Sequence, residues 1–401
     1  MTTERPTERP TERLYLTDPH LLQFTARVVS LRDLGGSPAV ELDRSAFYPE
    51  GGGQPGDRGT LGAAAVLDTQ EHEGQVLHLL DRPLEKGVEV EGRVDAARRL
   101  DHLQQHHGQH LLSAAFLRVL QAPTVSFHLG EQHCTIDLDA SVSLLDEGAL
   151  RSVEAAANQG IWRNLPVIAR DFTGDERAAL SLRKEAVKGD RVVVVEGVDA
   201  SPCGGTHPLR TGEVGSLAIL RAVRWGQGKA RIEFVCGGRV VRALVQQSAT
   251  VTAAAEALRC APVELAQAAR KAVTEAQRHR KAGEALLLEL AAHEAAKLSA
   301  TEGVIVARVE RGAAMARAVA ADLSIRGRTA LIASVDEGRA HLCFARPKGA
   351  GPDLGQVLRA AVALLGGKGG GSADFAQGSG EEARLDEALA LAREQTSAFP
   401  G

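Results

Sequence analysis

The stretch from Val94 to Ala114, VDAARRLDHLQQHHGQHLLSA, decides the fold, because the hydrophobic period changes within it. Upstream, short segments such as TARVVSL, PAVELD and VEVEGRV alternate between apolar and polar residues, which predicts β-strands. From Ala96 to Leu120 the apolar residues recur at helical spacing, which predicts a helix. The side chains predicted to share one broad face of it are Leu100, Leu103, His107, Leu111, Ala114 and Leu117. The change at about Asp95 therefore indicates a β domain followed by an α+β domain.

Length and composition exclude several classes of protein. A chain of 401 residues is expected to form two or three domains. Its 24% charged and 44% hydrophobic residues are ordinary for a globular protein. Nine Phe, two Trp and two Tyr are too few for a long stacking platform that binds single-stranded nucleic acid. The net charge of −4 argues against a uniformly basic protein that coats phosphate.

The expected compartment is the cytoplasm. No apolar run approaches the ~20 residues that cross a bilayer, and the N-terminus is charged, so neither a signal peptide nor a membrane partner is expected. Five scattered cysteines, an odd number, do not suggest a disulfide framework.

We predict an α+β multidomain fold with five segments. The repeat MTTERPTERPTER has nothing apolar to bury, the segment after Ser248 is rich in Ala, Glu, Lys, Arg and Leu, and the remainder alternates strands and helices around a glycine loop at 366–371. The predicted segments are a disordered tail (1–13), a small β-barrel-like domain (14–94), a zinc-containing α+β domain (95–247), a helical linker (248–300) and a C-terminal α/β domain (301–401).

Four residues are candidate metal ligands. His106 and His110 are four apart on the predicted helix, so both imidazoles project from one face. Cys203 and His207 are four apart in SPCGGTHPL, where two glycines let the backbone fold both onto one centre. Each pair alone has an ordinary interpretation, a polar helix face and a Gly-Gly turn. Together they favour a tetrahedral zinc site with three nitrogens and one sulfur.

The motifs resemble the editing domain of alanyl-tRNA synthetase and its free-standing relatives, the AlaX trans-editing proteins. The match includes DRSAFYPEGGGQPGDRG (Asp43 to Gly59), HHGQHLL in the predicted helix and CGGTHPLRTGEVGSLAIL (Cys203 to Leu220). LLGGKGGGSADFAQGSG (Leu364 to Gly380) is similar to the glycine-rich signature of the C-terminal domain, which contacts tRNA in the family. Without an aminoacylation domain the chain resembles the long form of AlaX, and ATP use is not expected.

The resemblance implies an aminoacyl-tRNA hydrolase that acts on tRNA for alanine. Its reaction would be hydrolysis of the ester that links a wrong amino acid, chiefly serine and secondarily glycine, to the 3′-terminal adenosine. A pocket shaped for alanine cannot strongly reject an analogue that adds a hydroxyl, so accuracy requires a second site. Zinc could polarise the aminoacyl group, lower the pKa of a water, or be structural, since four protein ligands describe a closed site. The sequence does not choose between the two catalytic roles, and we favour a zinc ion that binds substrate over a purely structural one.

The same resemblance directs attention to residues around the zinc site. In the loop PEGGGQPGDRG, Gly51, Gly52 and Gly53 allow close backbone approach and Gln54 offers a donor and an acceptor, although the loop could be a plain hairpin turn. Ser45 occupies a position where the family commonly has threonine, and its hydroxyl is a candidate sensor of serine. Thr206 would orient ligands or touch substrate.

Other histidines and the basic residues are assigned more general roles. For His107 we expect a core or ligand-supporting role, and for His102, His128 and His133 a surface or structural one. Basic residues predicted to contact tRNA, or else to form a solvated face, are Arg210, Arg221, Arg224, Lys229, Arg231, Arg239, Arg242, the run Arg278 to Lys281, and Lys368. Arg231 and Lys368 are the two chosen as substrate-binding residues. The linker or the C-terminal domain could also support a homodimer.

Three alternative functions are weighed. The editing domain of threonyl-tRNA synthetase has related His/Cys motifs, so deacylation of seryl-tRNA for threonine is the second choice. A non-catalytic tRNA-binding module with structural zinc is the third. A zinc peptidase is disfavoured, because His-Gly-Gln separates His106 from His110 where such enzymes have His-Glu-x-x-His.

Overall fold

The computed structural model describes residues 10–184, 190–349 and 351–398. The chain divides into two compact units, Met1–Val251 and Thr252–Gly401, which are treated separately below. Helices and strands are mixed in both, so the predicted α+β multidomain class is confirmed. None of the helices in the described residues combines the length and the apolar content that spanning a lipid bilayer requires.

Unit 1 begins with a six-stranded antiparallel barrel in the order β2-β3-β7-β6-β5-β8. Its strands are β2 (Gln23–Leu34), β3 (Ser37–Leu42), β5 (Gly59–Leu61), β6 (Ala64–His72), β7 (Gln75–Leu80) and β8 (Glu89–Val94). Alternating side chains such as Val28, Leu42, Leu61 and Leu80 fill the interior together with Phe47. The long connection between Leu42 and Gly59 carries the glycine-rich loop out of the barrel wall.

Part of the predicted tail is ordered. Residues 1–9 lie outside the described residues, but β1 (Glu12–Arg13) pairs in parallel with β4 (Arg44–Ser45). The Thr11 hydroxyl is buried and donates to the carbonyl of Leu42 at 2.8 Å. The prediction of disorder is therefore wrong for residues 10–13, because backbone and hydroxyl hydrogen bonds hold a segment that has little apolar surface to bury.

The rest of unit 1 surrounds one long helix, α1 (Ala96–Leu120), as predicted. A four-stranded antiparallel sheet has the order β14-β15-β10-β9, and a three-stranded sheet has the order β11-β12-β13. The remaining elements are β9 (Thr124–Leu129), β10 (Cys134–Leu138), α2 (Glu147–Trp162), β11 (Ile168–Asp171), α3 (Gly174–Ala178), β12 (Arg191–Val195), β13 (Asp199–Pro202), β14 (Leu217–Trp225), β15 (Lys229–Cys236) and α4 (Gly238–Ala257), whose last residues, 252–257, belong to unit 2.

Helix α1 is buried around most of its middle. The Asp95 carboxylate caps its start by accepting from the backbone N–H groups of Ala97 and Arg98. The buried positions include Gln105, Gln109 and the histidines between Leu103 and Leu111, whereas Leu100 is 48% exposed. Leu100 therefore does not share the buried face as predicted. Polar side chains inside the fold need hydrogen-bond partners, and those partners define the functional site.

Unit 2 is a five-stranded sheet, in the order β16-β17-β18-β20-β19, with helices packed on it. Its elements are α5 (Leu265–Leu298), β16 (Ile305–Arg308), α6 (Gly312–Ile325), β17 (Ala330–Asp336), β18 (Arg339–Ala345), α7 (Leu354–Leu364), β19 (Lys368–Gly371), β20 (Phe375–Glu381) and α8 (Leu385–Ser397). Within the predicted linker, the end of α5 buries Ala291 and Ala295 in the core with Met315 and Val319 of α6.

Within the predicted glycine loop at 366–371, residues 368–371 instead form strand β19, which pairs with β20. Gly369 faces Gly378 across the pair, and a Cβ at Gly369 would lie 2.7 Å from the Cα of Gly378 and 3.0 Å from Leu358 of α7. The glycines thus permit close packing of strand on strand and on helix. The prediction of a loop was wrong for residues 368–371, because a glycine-rich composition, which is typical of turns, here permits close packing of a strand.

Candidate metal centre

His106, His110, Cys203 and His207 converge on one point inside unit 1. The four ligand atoms lie within 4.8 Å of one another. Cys203 Sγ is 3.3 Å from Nε2 of His106 and 3.3 Å from Nε2 of His207. For a tetrahedral ion with bonds of about 2.3 Å to sulfur and about 2.0 Å to nitrogen, the sulfur–nitrogen separation is about 3.5 Å. The predicted ligand set is therefore assembled with spacing suited to a metal ion.

Two segments deliver the four side chains. His106 and His110 occupy successive turns of α1, while Cys203 and His207 follow β13 on a tight turn. The turn lies against the helix at Gly205, where a Cβ would be 2.1 Å from Cε1 of His106. Arg191 holds the turn by donating to the carbonyls of Cys203 and Gly205 at 2.8 and 2.9 Å.

The electrostatics of the cluster favour a bound cation. Burial alone would raise the pKa of the Cys203 thiol, but the imidazoles of His106 and His207 outweigh it and hold that pKa well below its usual value. Burial keeps the pKa of His207 well below its usual range. A thiolate beside a neutral imidazole is the protonation state in which both groups bind a metal.

Gln54 supports His106. The Thr206 backbone N–H can only donate, so the Gln54 atom 3.2 Å from it is the carbonyl oxygen Oε1. His106 Nδ1 lies 2.6 Å from the same oxygen and must donate to it, which leaves Nε2 free to bind a metal. Gln54 Nε2 in turn donates to the Thr206 hydroxyl at 2.8 Å. Both Gln54 and Thr206 are fully buried, so they orient a ligand, and a contact with substrate stays a prediction.

His207 and His107 form the next contact around the cluster. Nδ1 of His207 is 3.2 Å from Nδ1 of His107, so His107 has the ligand-supporting position expected for it. Burial, with the charge of His110, lowers the pKa of His107 to about 3. Its Nε2 is buried without a hydrogen-bond partner among the described residues.

The glycine-rich loop forms a tight turn whose last residue reaches the cluster. Gly51 and Gln54 exchange backbone hydrogen bonds, both of 3.0 Å, around Gly52 and Gly53. Both central residues have positive φ, 56° and 85°, as in a type I′ turn. Gly52 and Gly53 therefore have a conformational explanation, whereas Gly51 does not, and the predicted contact of the three glycines with substrate is not tested by it.

Arg99 anchors the base of that loop to helix α1. Its guanidinium, 1% exposed, is paired with the buried Asp57 carboxylate at 2.5 Å and also donates to the carbonyl of Ala46. Asp57 accepts from the Tyr48 backbone N–H at 2.7 Å as well. The loop and the helix that carry Gln54 and its histidine partner are thus fixed to each other.

Ser45 lies inside the barrel, fully buried. Its oxygen is 2.7 Å from His78 Nε2 and accepts from the backbone N–H of Phe47 at 3.1 Å. His78 Nδ1 is 3.1 Å from the carbonyl of Val40, so Nδ1 donates and Nε2 accepts the serine proton. Burial lowers the pKa of His78 to about 4. The hydroxyl already has two partners, and a role in sensing serine stays a prediction.

The basic residues chosen from the sequence have diverse surroundings. Arg231 makes a two-pronged ion pair with Asp137, at 2.6 and 2.9 Å, and stacks on Trp225. Arg239 is paired in the same two-pronged way with Asp101, and Arg221 makes a single contact with Glu233 through Nε at 2.7 Å. Lys368 is exposed on β19 in unit 2. A tRNA contact by Arg231 or Lys368 stays a prediction.

Sequence reasoning singled out Gln54, Thr206 and His107 but missed several other residues that hold the site together. Asp199, Arg183 and Arg191 were not singled out, nor was His78. Every second residue of β13 is buried, which places Asp199 and Ser201 on the same side of the strand, and Cys203 follows at the same spacing. The alternation of the strand therefore could have indicated that Asp199 lies near the ligands. Arg191 carried no such signal, because its partners are backbone carbonyls.

Three parts of the chain match known families. Residues 21–98 match the family described as "tRNA synthetases class II (A)". Residues 191–233 match "Threonyl and Alanyl tRNA synthetase second additional domain", and residues 301–398 match "DHHA1 domain".

Curated relatives match much of the chain. "Alanyl-tRNA editing protein Aarsd1" of Rattus norvegicus is 30% identical over 404 residues, 95% of this chain and 97% of that protein. "Alanyl-tRNA editing protein AlaX-L" of Pyrococcus horikoshii is 35% identical over 241 residues, 57% of this chain and 59% of that protein. "Alanine--tRNA ligase" of Korarchaeum cryptofilum is 32% identical over 95% of this chain and 45% of the ligase. The chain thus spans about half the length of the ligase it matches.

Proposed function

The chain belongs to the alanyl-tRNA editing proteins, and we propose that it hydrolyses mischarged tRNA for alanine in the cytoplasm. The substrates are chiefly seryl-tRNA and secondarily glycyl-tRNA, and the bond cleaved is the 3′-aminoacyl ester. A zinc ion held by His106, His110, Cys203 and His207 serves the reaction. The family membership and the ligand spacing support this assignment.

The observation that carries the proposal is the convergence of two separate motifs on His106. Gln54 comes from the glycine-rich loop and Thr206 from the Cys-Gly-Gly-Thr-His turn, 152 residues later. The amide of Gln54 joins the two motifs at the imidazole of His106. Its Oε1 accepts from His106 and from the Thr206 backbone, and its Nε2 donates to the Thr206 hydroxyl. A metal-free fold would gain little from such an arrangement, whereas a metal ligand requires one fixed tautomer.

The donor set is consistent with zinc, because one thiolate and three imidazoles are its common ligands. When bound, zinc would supply a Lewis acid for the ester carbonyl or lower the pKa of a water. The protein supplies the orientation of the ligands and the exclusion of water from three sides, since His106, His110 and His207 are at most 2% exposed. Gly204 is exposed and Cys203 half-buried, so the aminoacyl end approaches over this turn.

Recognition of the tRNA body is assigned to unit 2. A cleft of about 260 Å³ is lined by the side chains of Arg317, His341 and Lys368, with Gln377 and Ser379, and no carboxylate is among its lining residues. A cleft in which positively charged side chains converge without a carboxylate is suited to bind a phosphate group of the RNA backbone. The family description of residues 301–398 is compatible with this role, and a homodimer stays a prediction.

Deacylation of seryl-tRNA for threonine remains the alternative, since the match over residues 191–233 is described for both synthetases. The proposal is tested by assaying seryl-tRNA for alanine and seryl-tRNA for threonine with zinc-loaded, zinc-stripped and Cys203→Ala/His207→Ala protein. We expect hydrolysis of the first substrate, lost on stripping, restored by zinc and absent in the double variant. Full activity of a metal-free double variant would contradict the site, and preference for the second substrate would favour the alternative.

A further inference from the structure

His110 is the only one of the three histidine ligands whose outer nitrogen faces a carboxylate. Its Nδ1 lies 3.0 Å from Oδ2 of Asp199, and both side chains are at most 3% exposed. The outer nitrogens of His106 and His207 face a neutral amide and a neutral imidazole. The three ligands therefore differ in how their tautomers are held.

The Asp199 carboxylate is fixed from its other side. Arg183 Nε donates to Oδ1 at 2.7 Å, and the Ser201 hydroxyl donates to the same oxygen at 3.0 Å. Arg183 also donates its backbone N–H to the carbonyl of Ala200 at 2.8 Å, so the guanidinium is tied to strand β13. An ionised carboxylate only accepts, and these donors leave Oδ2 to accept from His110.

We propose that Asp199 is a positioning residue for the metal centre, fixing His110 with its proton on Nδ1 so that Nε2 presents its lone pair to the metal. A carboxylate that accepts a hydrogen bond from a metal-bound histidine raises the basicity of that histidine. Such a partner commonly contributes about 10–100-fold to metal affinity. This inference rests on the proposed metal centre and concerns neither the substrate nor the reaction rate.

The arrangement makes a specific prediction for Asp199→Asn. Arg183 and Ser201 are both donors, so the amide oxygen turns towards them and the NH₂ group turns towards His110. The NH₂ group donates to Nδ1 and forces the imidazole proton onto Nε2, where the metal would bind. Asp199→Ala removes the interaction without reversing the tautomer. The more conservative replacement should therefore weaken metal binding as much as the alanine, or more.

The test measures zinc affinity by competition with a chromophoric chelator, without any tRNA. We expect Asp199→Asn to weaken zinc about 10–100-fold. The matched control is Glu213→Gln, an isosteric change at the His20–Glu213 pair, whose nitrogen–oxygen distance is 2.9 Å, outside the cluster. Its zinc affinity should stay within about twofold of the wild type. Near-wild-type zinc affinity in Asp199→Asn would overturn the proposal, whatever the affinity of Asp199→Ala.

A second measurement needs no variant to fold. Nitrogen-15 NMR of the zinc-loaded wild-type protein reports which ring nitrogen of His110 binds the metal and which carries the proton. The proposal predicts zinc on Nε2 and the proton on Nδ1, and zinc on Nδ1 with the proton on Nε2 would refute it. If deacylation of tRNA were absent while these results held, the proposed function would fail and the positioning role of Asp199 would stand.

Discussion

Oε1 of Gln54 lies 2.6 Å from Nδ1 of His106, and this hydrogen bond joins the glycine-rich loop of the barrel to helix α1 at the metal centre. The same oxygen accepts from the backbone of Thr206 at 3.2 Å, so one amide connects three segments of the chain. Gln54 is thus part of the support for a ligand, although its sequence context suggested a direct grip on substrate.

Replacing Gln54 by alanine should weaken zinc binding about 10–100-fold, because His106 loses the acceptor that fixes its tautomer. The matched control is Gln70→Ala on β6, a glutamine that hydrogen-bonds to Asp68 and belongs to no ligand contact. Chelator competition on both variants checks this. If Gln54→Ala kept full affinity with the wild-type melting temperature, the orienting role would be refuted.

The two glycines of the Cys-Gly-Gly-Thr-His turn should behave oppositely. A Cβ at Gly205 would lie 2.1 Å from His106 Cε1 and 2.8 Å from Gln54 Oε1, so Gly205→Ala should displace the histidine and abolish stoichiometric zinc. A Cβ at Gly204 meets nothing within 4 Å, so Gly204→Ala should bind one zinc per chain. Metal content by mass spectrometry distinguishes them. Equal zinc content in the two variants would show that the turn does not pack on the helix as described.

The stability of unit 1 should depend on pH through His78. Burial lowers its pKa to about 4 from an ordinary value near 6.5, so the unfolded chain binds this proton first as the pH falls. The contribution of the neutral, buried His78 to the free energy of unfolding is fully present above pH 6.5 and is lost progressively between about pH 6.5 and pH 4. We expect the loss of unfolding free energy between pH 7 and pH 5 to be smaller in His78→Gln than in the wild type, as measured by urea titration of zinc-free protein. An identical loss in both proteins would contradict the burial of a neutral His78.

The cleft of unit 2 should contribute to tRNA affinity through charge. Lys368→Ala and Arg317→Ala should each weaken tRNA binding and reduce the slope of log affinity against log salt by about 1. Arg326→Ala is the matched control, because Arg326 directly follows helix α6, which carries Arg317, pairs with Asp322 and does not line the cleft. Binding titrations at several salt concentrations measure this. Equal slopes in the wild type and in both cleft variants would remove the cleft from the interface.

Local patterns predicted helix α1 well. It has the predicted bounds, because the hydrophobic period and the capping residue are local in sequence. The four ligands were also predictable, since two i,i+4 pairs place their side chains near each other. Residues 368–371 were misassigned because the close approach of β20 and α7, which demands glycine, is a tertiary contact.

The supporting residues could not be predicted from spacing. Gln54 meets His106 across 52 residues, and Asp199 meets His110 across 89. Their roles depend on which of several polar side chains the fold brings to each ring nitrogen. The resemblance made Ser45 a candidate for contact with substrate, but only the closed barrel reveals that its hydroxyl is paired with His78.

The central claim is tested most directly by comparing deacylation of seryl-tRNA and alanyl-tRNA, both on the tRNA for alanine, by the zinc-loaded protein. An editing site that discriminates by a hydroxyl should hydrolyse the seryl ester much faster than the alanyl ester. Glycyl-tRNA should lie between the two or near the first. Equal rates on seryl-tRNA and alanyl-tRNA with the metal fully loaded would contradict the account.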